Sequence, residues 1–495
     1  MAGPRIPFSN SYARLPKHFF SRVSPTAVVQ PSLLLFNSAL ASELGIETAG
    51  VDPDALAEIF SGNRLPDGSE PISAIYAGHQ FGGFSPQLGD GRAILLGEVL
   101  DQSGMRRDIQ LKGAGRTPYS RRGDGRAALG PVLREYIVSE AMHALGIPTT
   151  RALAAVATGE PVYREERLPG AVLTRVAASH IRVGTFQLFA SRGDTDAVRL
   201  LAAHVLERHY PEVKDNALPC HALLQAFAQR HADLVARWMS VGFIHGVMNT
   251  DNMAISGETI DYGPCAFLEA YDPAAVFSAI DEGGRYAYSN QPWAAQWNLA
   301  RFAETLMPII ADDAAHAAAL AQAVIDDFPR RFEAAWLAAM RAKLGLTTAH
   351  ADDGELIGSL LDAMHRNGAD FTLTFRQLCD AASSGSSHSG TGPRTLFADP
   401  AAYDDWEARW MQRLLQEDVH PQVRAQAMRS CNPARIPRNH RVEQAIRAAV
   451  DAQDLEPAVA LHKAVSAPYA DDESLAQFTL PAAADERVTR TFCGT

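Results

Sequence analysis

The apolar positions of this chain repeat with strand and helix periods in turn. A run from Leu33 to Leu44, ended by Gly45, predicts a short helix. Ala93 to Leu100 reads as a strand, and Arg107 to Lys112 as a second strand of alternating character that closes on Lys112. Pro131 opens a helix whose Val132, Leu133, Tyr136, Ile137, Ala141 and Leu145 share one stripe before Gly146 stops it. Its acids are Glu135 and Glu140, and Glu140, off the face of Glu135, is expected in solvent. Two more strands, Arg151–Ala157 and Ala171–Val176, precede helices over Thr195–His209 and His221–Val241. The second helix carries Leu224, Phe227, Leu234, Trp238 and Met239 at helical spacing, a core stripe that delivers the chain to Gly242. Alanine-rich helices continue to about residue 365, with Trp293 and Trp297 expected in the core. The low-complexity stretch 381–393 reads as a flexible surface loop, and a last helical block carries Trp406, Trp410, Leu414 and Leu415.

At 495 residues the chain exceeds what one hydrophobic core usually supports. Its net charge of -12 argues against nucleic acid or an anionic membrane surface as a partner, and no apolar run is long enough to cross a bilayer. The start is poor in acids, but Pro4, Pro7, Pro16 and Pro25 break any amphipathic helix there, so it reads as mature, extended chain. Five scattered cysteines without a CxxC pair suit a reducing cytoplasm and no disulfide framework. Cys493, close to the end, is expected to be an accessible thiol, with Cys265 as its nearest candidate redox partner.

Charge and glycine change the picture between residues 75 and 130. Gly-Asp-Gly-Arg occurs twice, at 89–92 and 123–126, on loops that flank the first two strands. From Gly104 to Arg134 there are eight Lys/Arg and only Asp108 and Asp124 as acids. Glycine loops interleaved with arginines put backbone N–H groups and cations around an anion, which points to a phosphate site; a solvated basic face is the alternative for the stretch, and a plain turn for Asp124-Gly125. Downstream, GFIHGVMNTDNMAISGETIDYG at 242–263 sets Asp251 and Asn252 within ten residues of Asp261. A hairpin-like fold would bring these oxygens together as ligands for a hard ion such as Mg²⁺. The order of strand lysine, helix glutamate, loop asparagine and Asp-x-Gly is that of a protein kinase. Asn252 stands seven residues after His245, the kinase H-R-D spacing, but Val247 holds the place of the H-R-D aspartate. Valine accepts no proton, which leaves Asp251 as the nearest base and His245 as a residue that orders the loop.

YAGHQFGGFSPQLGDGRA, QLKGAGRTPYSRRGDGRA, LREYIVSEAMHALGIPTTRAL, HGVMNTDNM and IDYGPCAF together resemble the protein adenylyltransferase SelO family over nearly the whole chain. The resemblance implies an α+β, protein-kinase-like two-lobed fold. It would comprise an N-terminal extension (1–74), an N-lobe with the nucleotide loops (75–190), a C-lobe with the catalytic and metal loop (191–330) and a helical C-terminal region (331–495). It implies transfer of AMP from ATP, bound flipped relative to a kinase, to Ser, Thr or Tyr hydroxyls of proteins. By resemblance the nucleotide contacts are Gly89, Gly91, Arg92, Lys112, Asp124, Gly125, Arg175, Arg182 and Asp261. Glu135 would pair with Lys112, Asp251 would accept the proton, and Asn252 and Asp261 would hold Mg²⁺ or Mn²⁺. Cys493 stands in the region where some members carry selenocysteine. A kinase transferring the γ-phosphate and an ATP-binding pseudokinase scaffold are the competing readings. Val247 argues against the first, and the joint presence of Lys112, Asp251, Asn252 and Asp261 against the second.

Overall fold

The computed structural model describes residues 3–384 and 392–492. Its strands are β1 (Phe20–Arg22), β2 (Ser32–Phe36), β3 (Ile72–Gln80), β4 (Gly83–Gly89), β5 (Ala93–Leu100), β6 (Arg106–Lys112), β7 (Ala127–Ala128), β8 (Arg151–Tyr163), β9 (Arg167–Ala177), β10 (Phe243–Ile244) and β11 (Ala266–Phe267). The first nine form one antiparallel sheet in the order β1-β3-β5-β6-β9-β8-β2, with β4 on β3 and β7 on β9. The remaining two pair with each other.

Two-residue periodicity decides what each face of this sheet carries. Ile109 and Leu111 of β6 and Val172 and Val176 of β9 pack with Leu40, Leu56 and Phe60 of two N-terminal helices, Ser38–Glu43 and Pro53–Phe60. On the opposite face, Leu173 of β9 and Ala152 and Ala155 of β8 meet Val132, Leu133 and Tyr136 of the Leu129–Ala144 helix. Lys112 and Arg175 belong to this second face. The register sets Arg175 opposite Gln110 and Leu173 opposite Lys112, so the two cations are diagonal neighbours.

Below the sheet, the Thr195–His209, Pro219–Ser240, Gln291–Ile310 and Ala314–Lys343 helices share a core that includes Leu201, Phe227, Phe302 and Phe328. The Val183–Ser191 helix joins this core to β3. A Cβ on Gly184 would lie 2.1 Å from the carbonyl oxygen of Ala77, so only glycine permits the approach. From the far end of the chain, Asn439–Asp451 and Glu456–Val465 pack on Ile137 and Ala141, behind the Leu129–Ala144 helix. No described helix is long and apolar enough to cross a membrane.

Four expectations need correction. The Leu33–Leu44 run splits into β2 and the Ser38–Glu43 helix. Leu33–Phe36 finds an edge of the sheet on β8, and Asn37 caps the helix by accepting from Leu40 N–H. Glu140 is buried rather than solvated: its carboxylate accepts from Arg151, Asn37 Nδ2 and Ala152 N–H. Trp293 is 50% exposed and Trp297 half-buried, both with their rings against the guanidinium of Arg285. The 381–393 stretch begins as the end of the Phe371–Ser384 helix and finishes in a 3₁₀ turn from Pro393, its middle lying outside the described residues. Cys493 also lies outside them. Cys265 is buried, its thiol directed at the carbonyl of Tyr262.

Candidate active site

The β10–β11 pair pinches the chain into a closed excursion that holds Asp251, Asn252 and Asp261. The two halves of this excursion do not pair with each other as a hairpin. Ala254 bridges to Arg182 and Thr259 to Thr149, so each half is fastened to the segment above it. Within the loop, His245 does the tying: Nε2–H donates to the carbonyl of Ile260 at 2.8 Å, while Nδ1 accepts from Val247 N–H at 3.4 Å. Burial lowers its pKa, and the neutral ring fits both bonds.

Arg182 supplies the convergence. Its Nη1 donates to the backbone carbonyl of Asp251 and, at 2.7 Å, to Asp261 Oδ2. The other oxygen of Asp261 accepts from Arg175 at 2.5 Å and from Lys112 at 3.2 Å. Glu135 completes the cluster, holding Lys112 Nζ at 2.5 Å and Arg175 Nε at 2.7 Å. Asp261 adopts a left-handed backbone, φ 66°, a conformation costing about 1 kcal/mol or more unless its surroundings impose it. Three cations hold its carboxylate. Although burial opposes them, Arg175, Arg182 and Lys112 hold the Asp261 carboxyl well below the usual range. Burial in turn lowers the pKa of Lys112, against the pull of Glu135.

Asp251 is differently placed. Its side chain is buried, Oδ2 accepts from Gln80 Nε2 at 3.1 Å, and Oδ1 has no hydrogen-bond partner. Burial pushes its pKa up to about 6, with Arg182 opposing. Val247 is buried at the wall of the same cleft, so no carboxylate occupies the H-R-D position.

The cleft has a volume of about 680 Å³, and all the nucleotide, metal and proton-acceptor candidates expected from the sequence line it. The two Gly-Asp-Gly-Arg loops close its upper wall by packing on the 113–121 segment. A Cβ on Gly91 would sit 2.8 Å from the carbonyl oxygen of Tyr119, and one on Gly125 (φ 72°) 2.1 Å from that of Gly115. Gly125→Ala is therefore expected to cost about 1–2 kcal/mol from the left-handed backbone alone, and more from the overlap. A melting curve and an ATP titration check this, with weakened nucleotide affinity as the expected result. Gly89 and Arg92 lie on the same wall. Asp124 sits at the exposed rim, paired with Arg164 at 2.9 Å and accepting from Arg126 N–H, so it does form the turn.

A family model described as protein adenylyltransferase SelO matches residues 5–466. The chain belongs to that family. Curated relatives extend the match to both ends. The protein nucleotidyltransferase YdiU of Rhizobium rhizogenes strain K84 is 60% identical, covering 100% of this chain and 98% of the relative. Those of Bradyrhizobium sp. strain ORS 278 and Rhizobium meliloti strain 1021 are each 59% identical over 99% of this chain and 99% of their own length. As a SelO-family member, the chain is a nucleotidyltransferase.

For a SelO-family enzyme the donor set matters as much as the cations. Among the described residues, no three His, Cys, Asp or Glu side chains converge as a self-sufficient metal site. Asn252, whose Nδ2 donates to the carbonyl of Val247 at 3.0 Å, Asp251 and Asp261 all line the cleft. Asp251 Oδ1 is buried without a hydrogen-bond partner and packs toward Gly78, where a Cβ would lie 2.9 Å from it. The side-chain oxygens of Asn252 and Asp261 are of the kind that, together with substrate phosphates, would suit Mg²⁺ or Mn²⁺.

Two cleft residues touch candidate residues in ways that the sequence alone does not reveal. Asp90, the acid of the first Gly-Asp-Gly-Arg, is buried 3.9 Å from Arg182 and accepts from Gln110 Nε2. The repeat is its one signal, since Asp90 holds the place in the first copy that Asp124 holds in the second. Gln80, which holds Asp251, has no signature in a single sequence.

Proposed function

We propose that this protein transfers AMP from ATP to Ser, Thr or Tyr hydroxyls of protein substrates, with Asp251 as proton acceptor. The observation that carries this reading is the pairing of a three-cation cluster with a buried carboxylate that keeps one oxygen free. ATP phosphates would take the place of Asp261 as partners for Lys112, Arg175 and Arg182, with the glycine loops and Arg92 enclosing the nucleotide. Asn252 and Asp261 would hold Mg²⁺ or Mn²⁺, which when bound supplies further positive charge to the phosphates.

The acceptor oxygen then bonds to the α-phosphorus while the bond from that phosphorus to the bridging oxygen breaks. The hydroxyl proton passes to Asp251, and pyrophosphate leaves with the bridging electron pair. Positioning and electrostatics supply most of the rate in such transfers. A carboxylate at the H-R-D position is not required for that, and Val247 gives none. In this reading the sheet and the helical core are the two lobes of a kinase-like fold meeting at the cleft. The 75–190 and 191–330 segments form the lobes, 1–74 extends the first and 331–495 is the helical C-terminal region.

Mass analysis of an acceptor protein after incubation with ATP and Mg²⁺ or Mn²⁺ tests the reading. The expected result is one AMP on a hydroxyl side chain for each pyrophosphate released. A phosphate adduct with ADP as product would overturn it.

A further inference from the structure

The tip of the β3–β4 hairpin is bonded, residue by residue, to the loop that carries Asp251. His79 N–H donates to Thr250 Oγ1 at 2.7 Å, Gln80 Nε2 to Asp251 Oδ2 at 3.1 Å, and Phe81 N–H to Asn249 Oδ1 at 3.0 Å. Phe81 and Gly82 are the two loop residues of this hairpin, both with positive φ (50° and 89°). Asn or Asp usually takes the first position of such a turn, and a bulky residue there is strained. The sequence spends that strain on an aromatic ring that is exposed at the mouth of the cleft.

The ring is not isolated. Phe84, Ile280 and Trp293 are exposed as well, and Ile280 lines the cleft with Phe81. Arg285 joins them: its guanidinium lies 4.9 Å from the Trp293 ring and 4.8 Å from the Trp297 ring, against the hairpin at Gly82. Arg301, on Trp297 at 5.1 Å, is paired with Glu304 at 2.6 Å. Arg285 has no such carboxylate partner among the described residues, and its Nε makes no hydrogen bond. A cation without a carboxylate, held among the rings of Tyr286, Trp293 and Trp297 beside exposed apolar side chains, favours a ligand that is both acidic and apolar.

From this we infer that the platform formed by Phe81, Phe84, Ile280, Trp293 and Arg285 docks the protein substrate, seating a segment with an acidic residue and a large apolar residue beside the acceptor hydroxyl. The inference rests on the AMP-transfer reading for its occupant. The cleft below takes the nucleotide, and the platform is fastened to the base that the acceptor hydroxyl must reach. The acid would pair with Arg285 and the apolar side chain would cover Trp293.

A positional-scanning library of synthetic peptides, each with one central Ser, Thr or Tyr, tests this in two ways. Binding is read on the enzyme loaded with a non-hydrolysable ATP analogue, and transfer is read with α-labelled ATP. The expected wild-type result is selection of Asp or Glu next to an aromatic or large aliphatic residue by about tenfold. Arg285→Glu should abolish or invert the acid selection, Arg285→Lys should keep it, and Trp293→Ala, at an exposed position, should flatten the apolar selection. ATP affinity should stay as in the wild type in all three. Binding without acid selection, or the same selection in Arg285→Glu and Trp293→Ala as in the wild type, overturns the proposal. Selection in binding with no label transferred would leave the docking surface standing and count against AMP transfer.

Discussion

Asp251→Asn is expected to lower the rate of AMP transfer by about 10²–10⁴, the range typical for loss of a positioned proton acceptor. The substitution keeps size and shape, and an amide oxygen can still accept from Gln80 Nε2, which now bonds Oδ2. Arg182 holds residue 251 through its backbone carbonyl, so that anchor survives. The variant should therefore fold and bind ATP like the wild type while failing at the chemical step. Single-turnover transfer at saturating ATP separates the two effects. A full rate in Asp251→Asn would remove Asp251 from the mechanism.

Asp261→Ala has the other large expected effect, and here activity and stability fall together. Removing this carboxylate leaves Lys112 and Arg175 with Glu135 alone, and Arg182 with the more distant Asp90 at 3.9 Å. Deleting one partner of a largely buried ionic cluster costs about 3–5 kcal/mol, because the remaining charges stay desolvated and repel. Urea unfolding should show that loss, and transfer should be abolished because the organiser of the cations and, in the proposed reading, a metal oxygen are gone. ATP should restore part of the stability, since in the proposed reading its phosphates bind the same cations and mass action favours the folded state. Wild-type stability with undiminished transfer would contradict the site.

The parts of this site that are legible in the sequence are those fixed by local period and chemistry. Lys112 ends a strand whose alternation is plain, and Glu135 sits on a helix bounded by Pro131 and Gly146. The pairing of these two residues is what the family resemblance implies, and in the fold Lys112 Nζ donates to Glu135. Arg175 and Arg182 carry no such mark: a lone arginine on a strand or before a helix reads as surface. Only the register of β6 on β9 and the Arg182–Ala254 bridge turn them inward. The same dependence on distant partners accounts for the corrected expectations. Glu140 reads as solvated because Arg151 and Asn37, which neutralise and cap it, are brought to it by the fold. Trp293 and Trp297 have core spacing, but what they meet is Arg285, a partner that no periodicity encodes.

The central question is which phosphate is transferred. Wild-type enzyme and Asp251→Asn, incubated in parallel with Mg²⁺ or Mn²⁺ and ATP labelled at either the α- or the γ-phosphate, give the most direct answer in protein-bound label. Membership of the adenylyltransferase family predicts label from the α-phosphate alone, and the proposed role of Asp251 predicts that it is strongly reduced in the variant. Label from the γ-phosphate would make the protein a kinase and contradict AMP transfer, and label from neither would reduce it to a nucleotide-binding scaffold.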